Sequence, residues 1–498
     1  MSNSPTPGVT KPEARRPRLG RAGALTLMVL VGCELMLMLD STILNVALPA
    51  IREGLGFSAS GLAWVPNAFL LAFGGLLLLG GRAGDILGRR RIFVIGIVVF
   101  TIASLLGGLA PNAEWLIVMR AVQGVGAALA GPGTLALIIT NFQGTAQTRA
   151  LGIYSSVTAA AMTLGLVLGG LITTTLSWRW TLLVNVPIGL LMVLLAPRYV
   201  TETPRNPGRF DLIGALTSAL GATGIVFGLA RAADHGWTDP FTLLPLIAGA
   251  VALIAFVVLE RRAAHPIVPL GLFADRSRAG AYLGILLVPM VTLSMQFLLV
   301  QFMQEVLGFS PLLAGPAFLP MAGGMLITAQ NAARPLGRYG ARVTAATGIS
   351  LILAGALWLT QISAATGFWT GIFGPLLLAG AGLGLVVVPF NVTIMSTVDP
   401  KISGAASGVL QAAMMIGASL GIAILATVSS INTAAGTPVG TPVGNEAIAE
   451  GMRAGFWTSS AFAALALAVT LILLRPLRDS PPPRASDLGR RIEATNRT

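Results

Sequence analysis

Apolar stretches of bilayer-spanning length follow one another along this sequence with only short polar breaks between them. They run over 25–48, 62–80, 92–110, 115–140, 150–176 and 181–196, then a pair at 212–230 and 243–259, then 280–302, 312–333, 343–362, 369–397, 404–428 and 454–474. About 20 such residues wound as a helix cross the ~30 Å hydrocarbon core of a bilayer. In lipid a spanning segment must pair its own backbone groups, so crossings of this composition are helical. With 54% hydrophobic and 10% charged residues, a water-soluble fold would carry more apolar surface than one core can hide. The expectation is an all-α integral membrane protein with fourteen transmembrane helices.

Basic residues test that count, because Lys and Arg concentrate in alternate loops of a correctly threaded membrane chain. Of 32 Lys and Arg, only Arg52, Arg179, Arg231 and Arg453 fall in one set of loops and Arg120 falls within a span. All the others sit in the opposite set, together with both tails. The alternation predicts both termini on the cytoplasmic side. The same placement argues against nucleic-acid binding despite a net charge of +13, since the arginines form short loop clusters rather than one basic face. Cys33 is the sole cysteine and lies in an apolar run, so no disulfide framework and no CxxC metal or redox pair is present. Residues 1–21 lack a cleavage pattern after them and are expected to be retained. The segment 429–453, with Gly-Thr-Pro-Val-Gly at both Gly436 and Gly440, reads as a flexible outer loop. The proline-rich tail 480–498 reads as disordered.

A charge at the bilayer centre costs roughly 2.5–3.5 kcal/mol on insertion scales, so an ionisable residue within a span marks function unless it pairs or snorkels. Glu34, Asp40 and Arg120 qualify. Six residues separate the two acids, which puts them about 120° apart around one helix and ~9 Å apart along it. They cannot share a face. Arg120 is a natural partner for one of them, with Gln123 on its own face. The alternative is that Arg120 snorkels from a helix end and Asp40 sits among headgroups. One of the acids is expected to bind a coupling proton. The ninth span and the residues just past its end carry Gln296, Gln301, Gln304 and Glu305 among Met290, Met295, Phe297, Phe302 and Met303, and amides set among soft, apolar side chains can line a pocket for varied amphiphiles. Simple packing of the Met and Phe side chains against neighbouring helices is the competing reading. Asn185, Asn391 and Gln411 carry the same ambiguity. The glycines Gly165, Gly169, Gly170, Gly380, Gly382 and Gly384 predict close helix approach. His235 and His265 fall in loops, which leaves no intramembrane histidine relay.

The loop after the second span, Gly81-Arg-Ala-Gly-Asp85-Ile-Leu-Gly88-Arg89-Arg90-Arg91, resembles the signature loop of the major facilitator superfamily. The stretches Leu39-Asp40-Ser-Thr-Ile-Leu-Asn45-Val-Ala-Leu-Pro49, Arg120-Ala-Val-Gln123-Gly124-Val-Gly126 and Leu307-Gly308-Phe-Ser310-Pro311 resemble its fourteen-helix drug:proton antiporter branch. The resemblance implies two six-helix bundles flanking an inserted helix pair. It implies that Gly81, Asp85, Gly88, Arg89 and Arg90 form a cytoplasmic gate, that Arg120 assists proton transfer, and that Asp40 binds a proton or cationic substrate. Asn45 and Gln123 would join the cavity. In the fifth span, where that branch carries Gly-Pro, this chain has Gly165-Leu166. The second-half loop Pro335-Leu-Gly337-Arg338-Tyr-Gly340-Ala-Arg342 echoes the signature without its acid.

The expected organisation is a cytoplasmic tail at 1–23, a six-helix bundle at 24–197, a linker with the inserted pair at 198–278, a second bundle at 279–475 and a tail at 476–498. Binding near the midplane and alternating access are expected of such a bundle. The expected activity is proton-coupled export of drugs, antibiotics or other amphiphilic or cationic metabolites from a bacterial inner membrane, by a monomer whose partners are lipid, substrate and protons. Symport and narrow-substrate carriage remain alternatives on the same fold. An enzyme or sensor fits poorly, for want of a nucleotide loop, a metal-ligand cluster or an output domain, and no cofactor or metal is expected.

Overall fold

The computed structural model describes residues 21–475 apart from 59–60, 204–211, 263–267, 269, 396–397, 399–402 and 437–443. The tails 1–20 and 476–498, including the segment expected to be disordered, lie outside the described residues. The first helices are α1 (Arg21–Leu55), α2 (Trp64–Leu87), α3 (Arg89–Gly108), α4 (Ala113–Asn141) and α5 (Gly144–Thr175). One crossing, Trp180–Tyr199, follows as α6 (Trp180–Leu183) and α7 (Asn185–Tyr199). Next come α8 (Leu212–His235), α9 (Pro240–Arg262) and α10 (Arg276–Gln301), the last widening into a π-helical turn at Phe302–Val306. The remainder is α11 (Pro311–Ala314), α12 (Leu319–Asn331), α13 (Ala333–Leu359), α14 (Phe373–Met395), α15 (Ser403–Ala435) and α16 (Asn445–Leu473).

Twelve segments among the described residues are long and apolar enough to cross a membrane. In α5 and α8 the corresponding apolar stretches are the shorter Leu164–Thr175 and Leu216–Leu229. One expectation needs correction. The segment 429–453 is not a long loop, because α15 continues to Ala435 and α16 begins at Asn445. Residues 429–435 contain no Gly or Pro, so nothing in them stops a helix until Gly436. Residues 437–443, which hold most of the Gly-Thr-Pro-Val-Gly repeat, lie outside the described residues.

Helices α1–α7 pack as one group, with α4 between α2 and α3 and α5 along α1. Helices α10 and α12–α16 pack as a second. Small residues make these approaches possible. A Cβ at Gly165 would fall 1.8 Å from the Thr42 hydroxyl, and one at Gly380 would fall 1.9 Å from the Met321 carbonyl. Either substitution would push a helix pair apart, which membrane bundles avoid because lipid leaves close packing as their main source of association energy. The two halves share a backbone device as well. Gly88 and Gly340 both adopt positive φ, 108° and 80°, Gly88 between α2 and α3 and Gly340 at a sharp kink within α13. Only glycine takes that region without a steric penalty, and this explains why the second-half echo keeps its glycine.

Both ends of the described chain lie on one face of the bundle, here termed proximal. There α16 meets the start of α10, through hydrogen bonds from Arg475 to Ser277 and from Arg276 to the Ile472 carbonyl. On the distal face α1 ends opposite the end of α10. α8 packs on both α2 and α15, one from each half, with the Thr427 hydroxyl on α15 donating to the Leu229 carbonyl at 2.9 Å. α9 rests on α8 and presents Ile247, Val251 and Ile254 outward, an apolar face suited to acyl chains.

Candidate functional site

The middle of α1 carries two acids, and the fold treats them differently. Asp40 is 0% exposed and Arg120 1%, and they form an ion pair of 2.6 Å from Arg120 Nη1 to Asp40 Oδ2. The other carboxylate oxygen accepts from Gln123 Nε2 at 3.1 Å and from Asn185 Nδ2 at 2.7 Å. Arg120 also donates to Gln123 Oε1 at 2.8 Å and, through Nε, to the Val65 carbonyl at 3.2 Å. Its guanidinium lies 4.5 Å from the centre of the Phe69 ring. Gln123 donates in turn to Ser104 Oγ at 2.6 Å. The network joins α1, α2, α3, α4 and α7 and stays within the first group of helices.

This arrangement excludes a snorkelling Arg120 and an Asp40 among headgroups. Both are sealed inside protein, where a buried charge persists only if it is paired and its remaining hydrogen-bond capacity is filled. Arg120 and Gln123 share a face because they are three residues apart on α4. Asn185 enters because α7 packs against both α1 and α3, which brings its amide to Asp40. The Asn185 Oδ1 is buried without a hydrogen-bond partner among the described residues.

Glu34 is also buried, at 6% exposure, yet its hydrogen bond comes from the Tyr154 hydroxyl on α5 rather than from a cation. Along α1 it shares a face with Met38, Ser41, Asn45 and Arg52, since 18 residues make about five full turns. Met38, Ser41 and Asn45 are each partly exposed. Tyr154 was not among the sequence candidates. Its only signal is a phenol in an apolar span, and spacing along one chain cannot show that α5 lies beside α1.

The signature loop is held within the first half. Asp85 bonds Arg89 one turn on at 2.9 Å. The carboxylate of Glu202, in the strand of chain after α7, accepts the backbone N–H groups of Arg90 and Arg91 at 3.0 and 3.3 Å. It thereby fills two of the open donors at the start of α3. The Arg90 side chain reaches back to the carbonyls of Pro197 and Val200. Glu202 was likewise missed, because its role depends on a chain segment 112 positions away.

The remaining candidates spread over α10, α14 and α15. Gln296 and Gln301 are buried on α10, and Gln301 bonds its own helix at the Phe297 carbonyl. Asn391 on α14 does the same at Val387, and Gln411 on α15 is partly exposed. Met290, Met295, Phe297, Phe302 and Met303 are all buried, which favours packing over pocket lining for these side chains. Gln304 and Glu305 turn to α1, with Gln304 Nε2 on the Val46 carbonyl at 2.9 Å and Glu305 Oε1 on Arg52 Nη1 at 2.7 Å.

Two helical groups, a charged network inside one of them and a glycine-turned signature loop define a multi-pass membrane transporter. The Major Facilitator Superfamily model matches residues 30–422, and the chain belongs to that family. It is 38% identical over 473 residues to the puromycin resistance protein pur8 of Streptomyces alboniger, covering 93% of each chain. It is 38% identical over 420 residues to the cephamycin export protein CmcT of Amycolatopsis lactamdurans, covering 83% of this chain and 86% of that one. Its fold is similar to that of a bacterial homologue of the human lysosomal transporter Spinster in an inward-facing, unoccupied conformation, with TM-score 0.63 at 18% identity over 93% of this chain and 99% of that one.

Proposed function

We propose that this protein exports antibiotic-like amphiphilic or cationic small molecules in exchange for protons. Relatives named for puromycin resistance and cephamycin export, each 38% identical over most of the chain, support export. Proton coupling rests on one observation, the unequal treatment of the two acids of α1. Asp40 has its charge matched by Arg120 and both oxygens bonded. Among the described residues Glu34 meets a tyrosine hydroxyl and no cation, on the α1 face that leads toward the other half. A carboxyl without a cation can be neutralised by a proton or by a cationic substrate, and exchange of one for the other is antiport. Asp40, Arg120 and Gln123 then act as the fixed frame that holds α1 against α4. One proton moving down ~100 mV is worth about 2.3 kcal/mol, enough for a concentration ratio of tens.

The topology proposed with it has fourteen spans. α5 and α8, of 32 and 24 residues, join the twelve apolar segments. The bundles at 24–197 and 279–475 flank the pair within 198–278. The basic loops support a proximal face and both termini in the cytoplasm of a bacterial inner-membrane protein, with the distal face outside. Proteoliposomes with an imposed pH gradient and a fluorescent lipophilic cation test the reading. Gradient-driven movement is expected in the native protein and its loss in Glu34→Gln, with the folded state checked by gel filtration. Movement that ignores the gradient, or that persists in Glu34→Gln, overturns coupling through Glu34. Accumulation in the opposite direction selects symport.

A further inference from the structure

Beyond the acids, α1 reaches the other half of the molecule at its distal end. Arg52 Nη1 lies 2.7 Å from Glu305 Oε1, and the neighbouring Gln304 bonds the Val46 carbonyl. Both side chains of the second half sit on the π turn Phe302–Val306. Such a turn inserts an extra residue into the helical repeat, here where two successive residues engage α1. Pro49 lies within the receiving stretch and cannot donate to the carbonyl four residues back, so the ladder of α1 is loosened beside Val46. The halves also touch backbone to backbone on this face. A Cβ at Gly170 would fall 2.2 Å from the Pro311 carbonyl, and one at Gly315 would fall 2.1 Å from the Leu166 carbonyl.

We infer that Arg52 and Glu305 form a latch that holds the distal face closed in this conformation and releases when that face opens. Resting on the outward placement of that face, the inference makes the pair positioning residues of the transport cycle. Their exposure suits the task. The side chains are 35% and 22% exposed, so each charge regains water as soon as the pair parts, and the net worth of such a pair is small. The sealed Asp40–Arg120 pair could not be broken every cycle, since each charge would be left dry. Gln304 adds a bond of similar reversibility, and the glycines let the two backbones close without a side chain between them.

The test uses the full chain with Cys33→Ala and a reporter cysteine at Asn45→Cys, on the same face of α1. A membrane-impermeant maleimide is added from outside. Arg52→Glu or Glu305→Arg alone should raise labelling about two- to fivefold, the range that a partly exposed pair can supply. The exchange of both, Arg52→Glu with Glu305→Arg, should bring it back toward native. Arg52→Lys and Glu305→Gln, which disturb folding less, should give smaller shifts in the same order. Native labelling in the single variants, or no recovery in the exchange, overturns the latch. A second reporter, Trp237→Cys in the exposed turn between α8 and α9, labels from outside only if the distal face is outer. If it does not, the orientation is wrong, and the same series read with the reagent on the other side still decides the latch.

Discussion

Helix α1 carries two ion pairs, and almost everything about them differs. Asp40–Arg120 is sealed, joined by two amides, and confined to one group of helices. Arg52–Glu305 is partly exposed, joined by one amide nearby, and spans the two groups. The contrast separates two uses of charge in a membrane protein. A dry pair is costly to make and costlier to break, so it belongs where helices must keep their places. A wet pair is cheap in both directions, so it belongs where they must part.

Breaking one side of the dry pair should have the largest effect. Arg120→Ala leaves a carboxylate buried among amides, and unfolding in detergent should show a loss of about 3–5 kcal/mol. Replacing both partners, Asp40→Leu with Arg120→Met, should cost less than Arg120→Ala alone. A double variant as damaged as the single would mean that the surrounding amides, rather than an unpaired charge, set the penalty. Next in size is Gly170→Ala, which puts a methyl group into the Pro311 backbone. Overpacking of this kind costs about 1–3 kcal/mol and should fall on the distally closed conformation, raising outside labelling in the assay above. Glu202→Ala should cost about 1 kcal/mol by releasing the two N–H groups at the start of α3. Arg52→Ala should be mildest, at about 1 kcal/mol or less and shrinking further with added salt. Were its effect on stability to rival that of Arg120→Ala, the division between fixed and parting pairs would fail.

Much of the fold was legible in advance. Span lengths, the basic loops and the glycines of α5 and α14 each report a local demand of lipid or close packing, and local demands are written where they act. That Arg120 pairs with one of the two acids of α1 could also be anticipated, since lipid admits few charges and an unlike pair is the cheapest way to keep them. The extension of α15 to Ala435 and the start of α16 at Asn445 were not legible, because hydropathy does not mark where a helix ends once its residues turn polar. Nor were Tyr154 and Glu202, whose partners lie on other helices. Gln304 and Glu305 stood out as polar residues just past the end of an apolar span, but nothing in that pattern says whether such side chains meet a substrate or another helix.

By itself the sequence determined that this is a helical, many-span membrane protein with three ionisable residues, Glu34, Asp40 and Arg120, inside its apolar stretches, because hydrocarbon makes polarity costly enough to leave its mark on the sequence. Only the tertiary structure decided which acid is matched and which is left to a tyrosine, and which arginine bridges the halves. Charge pairing acts over a few ångströms in space, and the residues it joins here lie 80 and 253 positions apart.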